Sequence, residues 1–193
     1  MCRAVRGWWL VSYVVLWGLV LFLAVLVAAL ARQIGVLHMR LSPRGALEVD
    51  EEGPPLGEMP PPAEVVDLEG AAHRVGGPGP PALLLFVSPG CPICREVLPG
   101  VAPAARAGEL RPLVLVDDDD PGALDHYRQR DPRVPVAAAE DVAETYDIPG
   151  TPFAVVLDEA GVVRAKGTVN TLEQMEGLVD TARRRLAEGA VVP

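Results

Sequence analysis

The sequence predicts an α/β domain, a mixed central sheet flanked by helices, carried behind an N-terminal transmembrane helix. Three observations lead there. From residue 63 onward, short apolar runs alternate with segments of helical period. Residues 8–31 are 24 consecutive positions without a charge. The charge is also divided: of a net −9 over 193 residues, residues 1–47 carry five arginines and no acid, which leaves −14 for the remainder. A chain of 193 residues suits one domain plus an extension and excludes a large multidomain enzyme. With 50% hydrophobic and 22% charged residues the composition is not that of a disordered chain. An acidic body argues against nucleic acid, whose phosphates need a basic surface. Three cysteines are too few for a disulfide-stapled miniprotein.

The head comes first. Residues 1–7 form a short basic flank, expected to be cytoplasmic. A helix over residues 8–31 would span roughly 36 Å, against a hydrocarbon core of about 30 Å. Trp8 and Trp9 suit the interface. Ala29-Leu30-Ala31 resembles a cleavage site, but signal peptides carry apolar regions of about 7–15 residues, so a retained anchor is the expectation. Arg3 and Arg6 on one side nearly balance Arg32, Arg40 and Arg44 on the other, so charge alone does not orient the helix. Residues 32–62 are read as a juxtamembrane segment and a linker. Ile34, Leu37 and Leu41 continue a helical spacing until Pro43 stops it, with His38 as an interfacial polar residue. Residues 48–62 hold five prolines and five acids, and predict an extended spacer.

The domain is expected over residues 63–188, large enough for its own core. A hairpin of Glu64–Leu68 and His73–Val75 turns at Glu69-Gly70. Ala82–Val87, apolar throughout, reads as a central strand buried on both faces. A helix follows over Cys94–Ala107, then a strand over Leu113–Val116. Asp120-Pro121 reads as an N-cap and a first-turn proline, opening a helix to Arg130. A short strand over Val134–Ala137 and a short helix over Glu140–Tyr146 come next. Phe153–Leu157 and Val162–Lys166 read as an antiparallel pair turning at Glu159-Ala160-Gly161. The last helix, Thr171–Glu188, places Leu172, Met175, Leu178, Val179, Ala182 and Leu186 along one face.

The chemistry concentrates at Cys91-Pro92-Ile93-Cys94, where a buried strand and a Ser88-Pro89-Gly90 turn lead into a helix. With Cys91 at the cap and Cys94 in the first turn, the two sulfurs come within bonding reach. Unpaired amides and the positive end of the helix dipole favour a thiolate at Cys91. Pro92 supports the turn, because a first-turn residue has no use for its N–H. Cys91 is thus a candidate nucleophile and Cys94 a resolving thiol. Structural zinc wants four ligands, and no second Cys pair or His pair accompanies these two, so no metal is expected. An inert disulfide and a peroxidase, suggested by Ser88 three residues before Cys91, are the other readings weighed. A second piece lies at Thr151-Pro152, immediately before an apolar strand, where a proline is compatible with a cis bond in a tight turn.

An apolar strand, CPIC at a helix start, and TPF before an antiparallel pair and a terminal helix resemble the thioredoxin fold over residues 63–188. That resemblance implies that the Thr151-Pro152 loop faces the cysteines and pairs with the substrate backbone. Three stretches, ARQIGVLHMRLSPRGAL, FVSPGCPICREVLP and AKGTVNTLEQMEGL, are similar to the methylamine-utilisation MauD family. The resemblance implies a membrane-anchored, thioredoxin-like accessory protein. Its client would be methylamine dehydrogenase, above all the disulfide-rich small subunit, with a membrane thiol carrier as electron partner and no cofactor. Some positions depart from these patterns. Leu172 and Gln174 stand where Arg and His are expected, Leu85 where thioredoxins keep a buried acid, and Val97 where tethered reductases of cytochrome maturation often place Glu.

Other polar residues are read as structural. Asp117–Asp120 form a solvated loop with Asp120 capping, His73 and His126 lie on the surface, and Arg183, Arg184 and Arg185 favour the dipole of the last helix. Cys2 is a bystander. The expected function is therefore that of a membrane-anchored thiol–disulfide oxidoreductase. It would cross the cytoplasmic membrane once and hold its catalytic domain in the oxidising, extracytoplasmic space. Two alternatives stand beside it: a tethered reductase for cytochrome c maturation or general thiol repair, and a noncatalytic chaperone or binding module of the same fold. Reductase, oxidase and isomerase directions all fit the sequence.

Overall fold

The computed structural model describes residues 13–26 and 52–189. The chain divides into two units, Met1–Pro43 and Arg44–Pro193. In the first, residues 13–26 form helix α1, whose apolar side chains are exposed, with Tyr13 and Trp17 ring centroids 6.2 Å apart one turn along. Among the described residues no helix is long and apolar enough to cross a membrane. The rest of the expected 8–31 span, the basic flank 1–7 and the juxtamembrane segment with His38 lie outside the described residues.

The second unit is built on a five-stranded sheet. Its strands are β3 (Ala82–Val87), β4 (Arg111–Val116), β5 (Val136–Ala138), β6 (Phe153–Leu157) and β7 (Val163–Thr168), in the order β5-β4-β3-β6-β7. β3 runs parallel to β4 and antiparallel to β6; β4 and β5 are parallel, and β6 and β7 antiparallel. A separate hairpin, β1 (Ala63–Val66) and β2 (Ala72–Val75), precedes the sheet. The helices are α2 (Pro92–Val97), α3 (Val101–Ala107), α4 (Pro121–Arg130), α5 (Glu140–Thr145) and α6 (Leu172–Gly189).

The period of two along the strands builds two cores. Leu83, Leu85 and Val87 face a cluster with Cys94, Val97, Leu124 and Tyr127, into which α6 inserts Met175, Leu178 and Val179. Leu84 and Phe86 face the other way, against Val142 and Tyr146 of the α5 region and Val65 and Val75 of the hairpin. All six residues of β3 are buried, as a strand covered on both faces must be.

Where the elements differ from expectation, proline is the usual reason. The helix expected over Cys94–Ala107 begins earlier, at Pro92, and is interrupted by a 3-10 turn at Leu98–Gly100, where Pro99 has no N–H to continue an α-helical ladder. β5 starts at Val136 rather than Val134: Pro135 cannot donate, and the Val134 amide bonds to the Asp131 carbonyl instead. Leu172 is exposed rather than part of the apolar face of α6.

The spacer expected over 48–62 is corrected over its described part. Residues 52–62 are irregular but docked. Pro54 and Pro60 are buried, and Leu56 packs against the second core. The Gly57 amide donates to the Val163 carbonyl and the Val163 amide to the Glu58 carbonyl, both at 2.9 Å. The Tyr146 hydroxyl donates to the Pro61 carbonyl at 3.1 Å. A proline-rich segment offers many carbonyls and few N–H groups, and here the domain supplies the donors.

Candidate active site

β3 ends at Val87, and Ser88, Pro89 and Gly90 turn the chain into α2. Cys91 is the N-cap: its sulfur accepts the Cys94 amide at 3.1 Å, and Pro92 occupies the first helical position. Cys91 and Cys94 are joined by a disulfide, with Cα atoms 5.3 Å apart. Their surroundings differ. Cys94 is fully buried in the core beneath the sheet's end, whereas Cys91 is only partly buried, between exposed Gly90 and Pro92.

Topology brings the second motif to the first. Because β6 is antiparallel to β3 with Phe153 opposite Phe86, the residues just before β6 lie beside those just after β3. The Thr151-Pro152 peptide is cis. The Thr151 carbonyl oxygen lies 3.9 Å from Cys91 Sγ, and the Thr151 hydroxyl pairs with the Ser88 hydroxyl at 2.6 Å. Ser88 is tied down in turn, since its carbonyl accepts the Tyr127 hydroxyl at 2.6 Å and the Cys91 amide at 3.3 Å. Burial raises the Tyr127 phenol above its ordinary value, against the lowering effect of Arg95 and Arg130, so the hydroxyl stays a donor. The fold thus brings Cys91, Pro92 and Cys94 together with the Thr151-Pro152 loop.

Ser88 and Tyr127 complete the site, and the sequence carried only faint signals of them. Ser88 is the first polar residue after six apolar ones, and Tyr127 lies one turn beyond Leu124 on the buried face of α4. Leu85, in the place of a buried acid, is fully buried in the same core as Cys94. Glu96 is exposed and Val97 is buried.

The residues read as structural mostly behave so. Asp120 Oδ2 accepts the Ala123 amide at 3.1 Å and caps α4, while Asp118 Oδ1 accepts the Asp120 amide at 2.7 Å. Among the described residues no group of three or more His, Cys, Asp or Glu side chains could hold a metal ion. His126 is exposed, as expected. His73 is not a surface residue: its Nε2 lies 2.7 Å from Asp67 Oδ2, and both side chains are largely buried where the hairpin meets the sheet. Burial opposes the charge on Asp67, but the bonds from His73, Ala71 and Glu69 outweigh it and hold its carboxyl below the usual range. Arg183 and Arg184 are exposed, and Arg185 reaches back to the Arg164 carbonyl. Cys2 lies outside the described residues.

A partly buried cysteine that caps a helix and is disulfide-bonded to a fully buried partner three residues on is an arrangement suited to thiol–disulfide exchange. Among solved structures, the thioredoxin domain of a thiol-disulfide oxidoreductase from Bacteroides vulgatus superimposes with a TM-score of 0.55 at 20% identity, covering 67% of this chain and 96% of that one. A thio-disulfide isomerase from Thermus thermophilus gives 0.54 at 22% identity, covering 70% and 96%. These likenesses establish the thioredoxin-like fold. No family model matches the chain. Curated relatives do: the methylamine utilization protein MauD of Methylobacillus flagellatus is 37% identical over 183 residues, covering 92% of this chain and 88% of the relative. The MauD proteins of Methylophilus methylotrophus and Paracoccus denitrificans are 38% and 34% identical, covering 89% and 91% of this chain and 83% and 90% of those relatives. With that identity sustained along nearly the full length of each relative, and with the CPIC site on the expected fold, the chain belongs to the MauD family.

Proposed function

We propose that this protein is a membrane-anchored thiol–disulfide oxidoreductase of methylamine utilisation, acting on the disulfides of the methylamine dehydrogenase small subunit during its maturation. The observation that carries the reading is the Cys91–Cys94 disulfide, with the accessible sulfur beside the Thr151 carbonyl. The MauD relatives support the pathway by name. In the oxidising direction a client thiolate attacks Cys91 Sγ and releases Cys94 as a thiolate, giving a mixed disulfide. A second client thiolate then attacks the client sulfur of that bond and expels the Cys91 thiolate. The client loses two electrons to the pair, the two client thiol protons pass to solvent or to the cysteines, and a membrane thiol carrier in its disulfide form restores Cys91–Cys94. In the reverse direction Cys91 attacks a client disulfide and Cys94 resolves the adduct, and isomerisation uses the first half of that cycle.

In this reading Cys91 is the nucleophile, Cys94 resolves, Pro92 shapes the helix start, and Thr151 and Pro152 receive the client backbone. The sulfurs carry the electrons themselves, so no cofactor enters. Residues 8–31 anchor the chain in the cytoplasmic membrane, with Arg3 and Arg6 inside and the domain extracytoplasmic. Exposed apolar side chains along α1 support the anchor, as does the oxidising compartment that lasting disulfides need.

Trapping tests the reading. Cys94→Ser, expressed in cells making methylamine dehydrogenase, should accumulate mixed disulfides through Cys91 that mass spectrometry identifies as the small subunit. Adducts with apocytochromes alone would transfer the protein to cytochrome maturation. Undiminished client maturation in Cys91→Ser would point to a noncatalytic binding module.

A further inference from the structure

The strap of residues 52–62 grips both ends of the loop that carries Thr151 and Pro152. Ahead of the loop, the Gly53 amide donates to the Asp147 carbonyl at 3.1 Å. Behind it, Phe153 follows Pro152 directly, and its ring lies against the Gly53 backbone. A Cβ added at Gly53 would sit 2.9 Å from Phe153 Cζ, and Gly53 has φ +71°. Lys166, the only lysine of the chain, is fully buried on β7, opposite Val155 of β6. Its ammonium donates to the Glu52 carbonyl at 2.6 Å and lies 3.5 Å from the Gly53 carbonyl. A buried ammonium needs such acceptors, so the strap and Lys166 hold each other in place.

We propose that Gly53 and Lys166 are positioning residues for the client site, fixing the Thr151-Pro152 loop at the spacing a client backbone requires. The inference rests on the thiol–disulfide reading above. Loosening the strap at Gly53 would misplace the loop without touching the sulfurs. Protein disulfides, which need the loop, would then be handled poorly, while small disulfides, which need only Cys91, would react as before.

A matched pair of glycines gives the test. Gly57 also lies in the strap at positive φ (+77°), but a Cβ there meets nothing within 4 Å. Gly53→Val and Gly57→Val thus impose similar backbone strain, and only the first pushes on Phe153. The full chain in detergent micelles, recycled with dithiothreitol, is assayed with insulin as the protein disulfide and 2-hydroxyethyl disulfide as the small one. Gly53→Val should raise KM for insulin by roughly tenfold with kcat on the small disulfide within about twofold of the parent, and Gly57→Val should move neither. Equal behaviour of the two variants, or parallel loss on both substrates, overturns the inference. If Gly53→Val does not fold, Lys166→Met decides by the same split between substrates. A parent protein inactive on both disulfides would remove the thiol–disulfide reading and the inference with it.

Discussion

Cys91 and Cys94 stand three residues apart, yet one is only partly buried beside exposed Pro92 while the other is sealed in the core cluster that also holds Leu85, Val97 and Val116. That difference, more than the spacing, supports the division of labour proposed for them: attack requires access, and resolution requires only the partner sulfur. Around Cys91 the hydroxyl pair of Ser88 and Thr151 and the phenol of Tyr127 fix the two loops, so positioning here is done by neutral groups. Elsewhere single residues carry charge that makes folding depend on pH. Asp131, buried at the end of α4, accepts the Arg133 guanidinium at 2.7 and 2.8 Å, and this bond is the chief reason its carboxyl lies below the ordinary 3.8. A depressed carboxyl stabilises the fold above the unfolded value and loses that contribution as pH falls through the folded one. Asp131→Asn should therefore melt at a lower temperature than the parent near neutral pH, with the gap closing below pH 3.8. A gap independent of pH in thermal melts would show that the charge contributes nothing.

The elements most legible in the sequence are those that one local signal decides. Ala82–Val87 and Phe153–Leu157 are apolar runs bounded by turn residues, and both form strands over those residues. The start of α4 was legible because Asp120-Pro121 is a cap and a first-turn proline together. Asp120→Ala should lower stability by about 1 kcal/mol, read from urea unfolding of the full chain. An unchanged midpoint would mean that water replaces the carboxylate at the Ala123 amide. Less legible were features that depend on partners far along the chain. The docked strap looks like a free spacer because nothing within residues 52–62 names its donors, which come from Tyr146, Val163 and Lys166. His73 looks like a surface histidine until the hairpin closes on the sheet and Asp67 meets it. Ser88 and Tyr127 join the site only through the packing of α4 and the pairing of β6 with β3.

At the scale of the whole molecule, an apolar helical head joins an acidic domain whose redox pair lies at the end of the central strand. Membership in the MauD family rests on similarity along nearly the whole chain, and the proposed anchor rests on the uncharged run 8–31. An anchored chain should stay with the membrane pellet after alkaline carbonate extraction, and release into the supernatant would contradict the anchor. The site was legible as two short motifs, while their meeting was not: it needs the antiparallel pairing that sets the start of β6 beside the end of β3. In the proposed function Cys91 and Cys94 cycle between bonded and free as a single two-electron couple. The most direct measurement equilibrates the full chain in graded glutathione redox buffers, alkylates the free thiols and reads the masses. The expected result is one reversible transition in which Cys91 and Cys94 gain or lose both labels together, traced identically from the oxidised and the reduced side. A pair that stays unlabelled across the series, or takes up its labels in two independent steps, would contradict it.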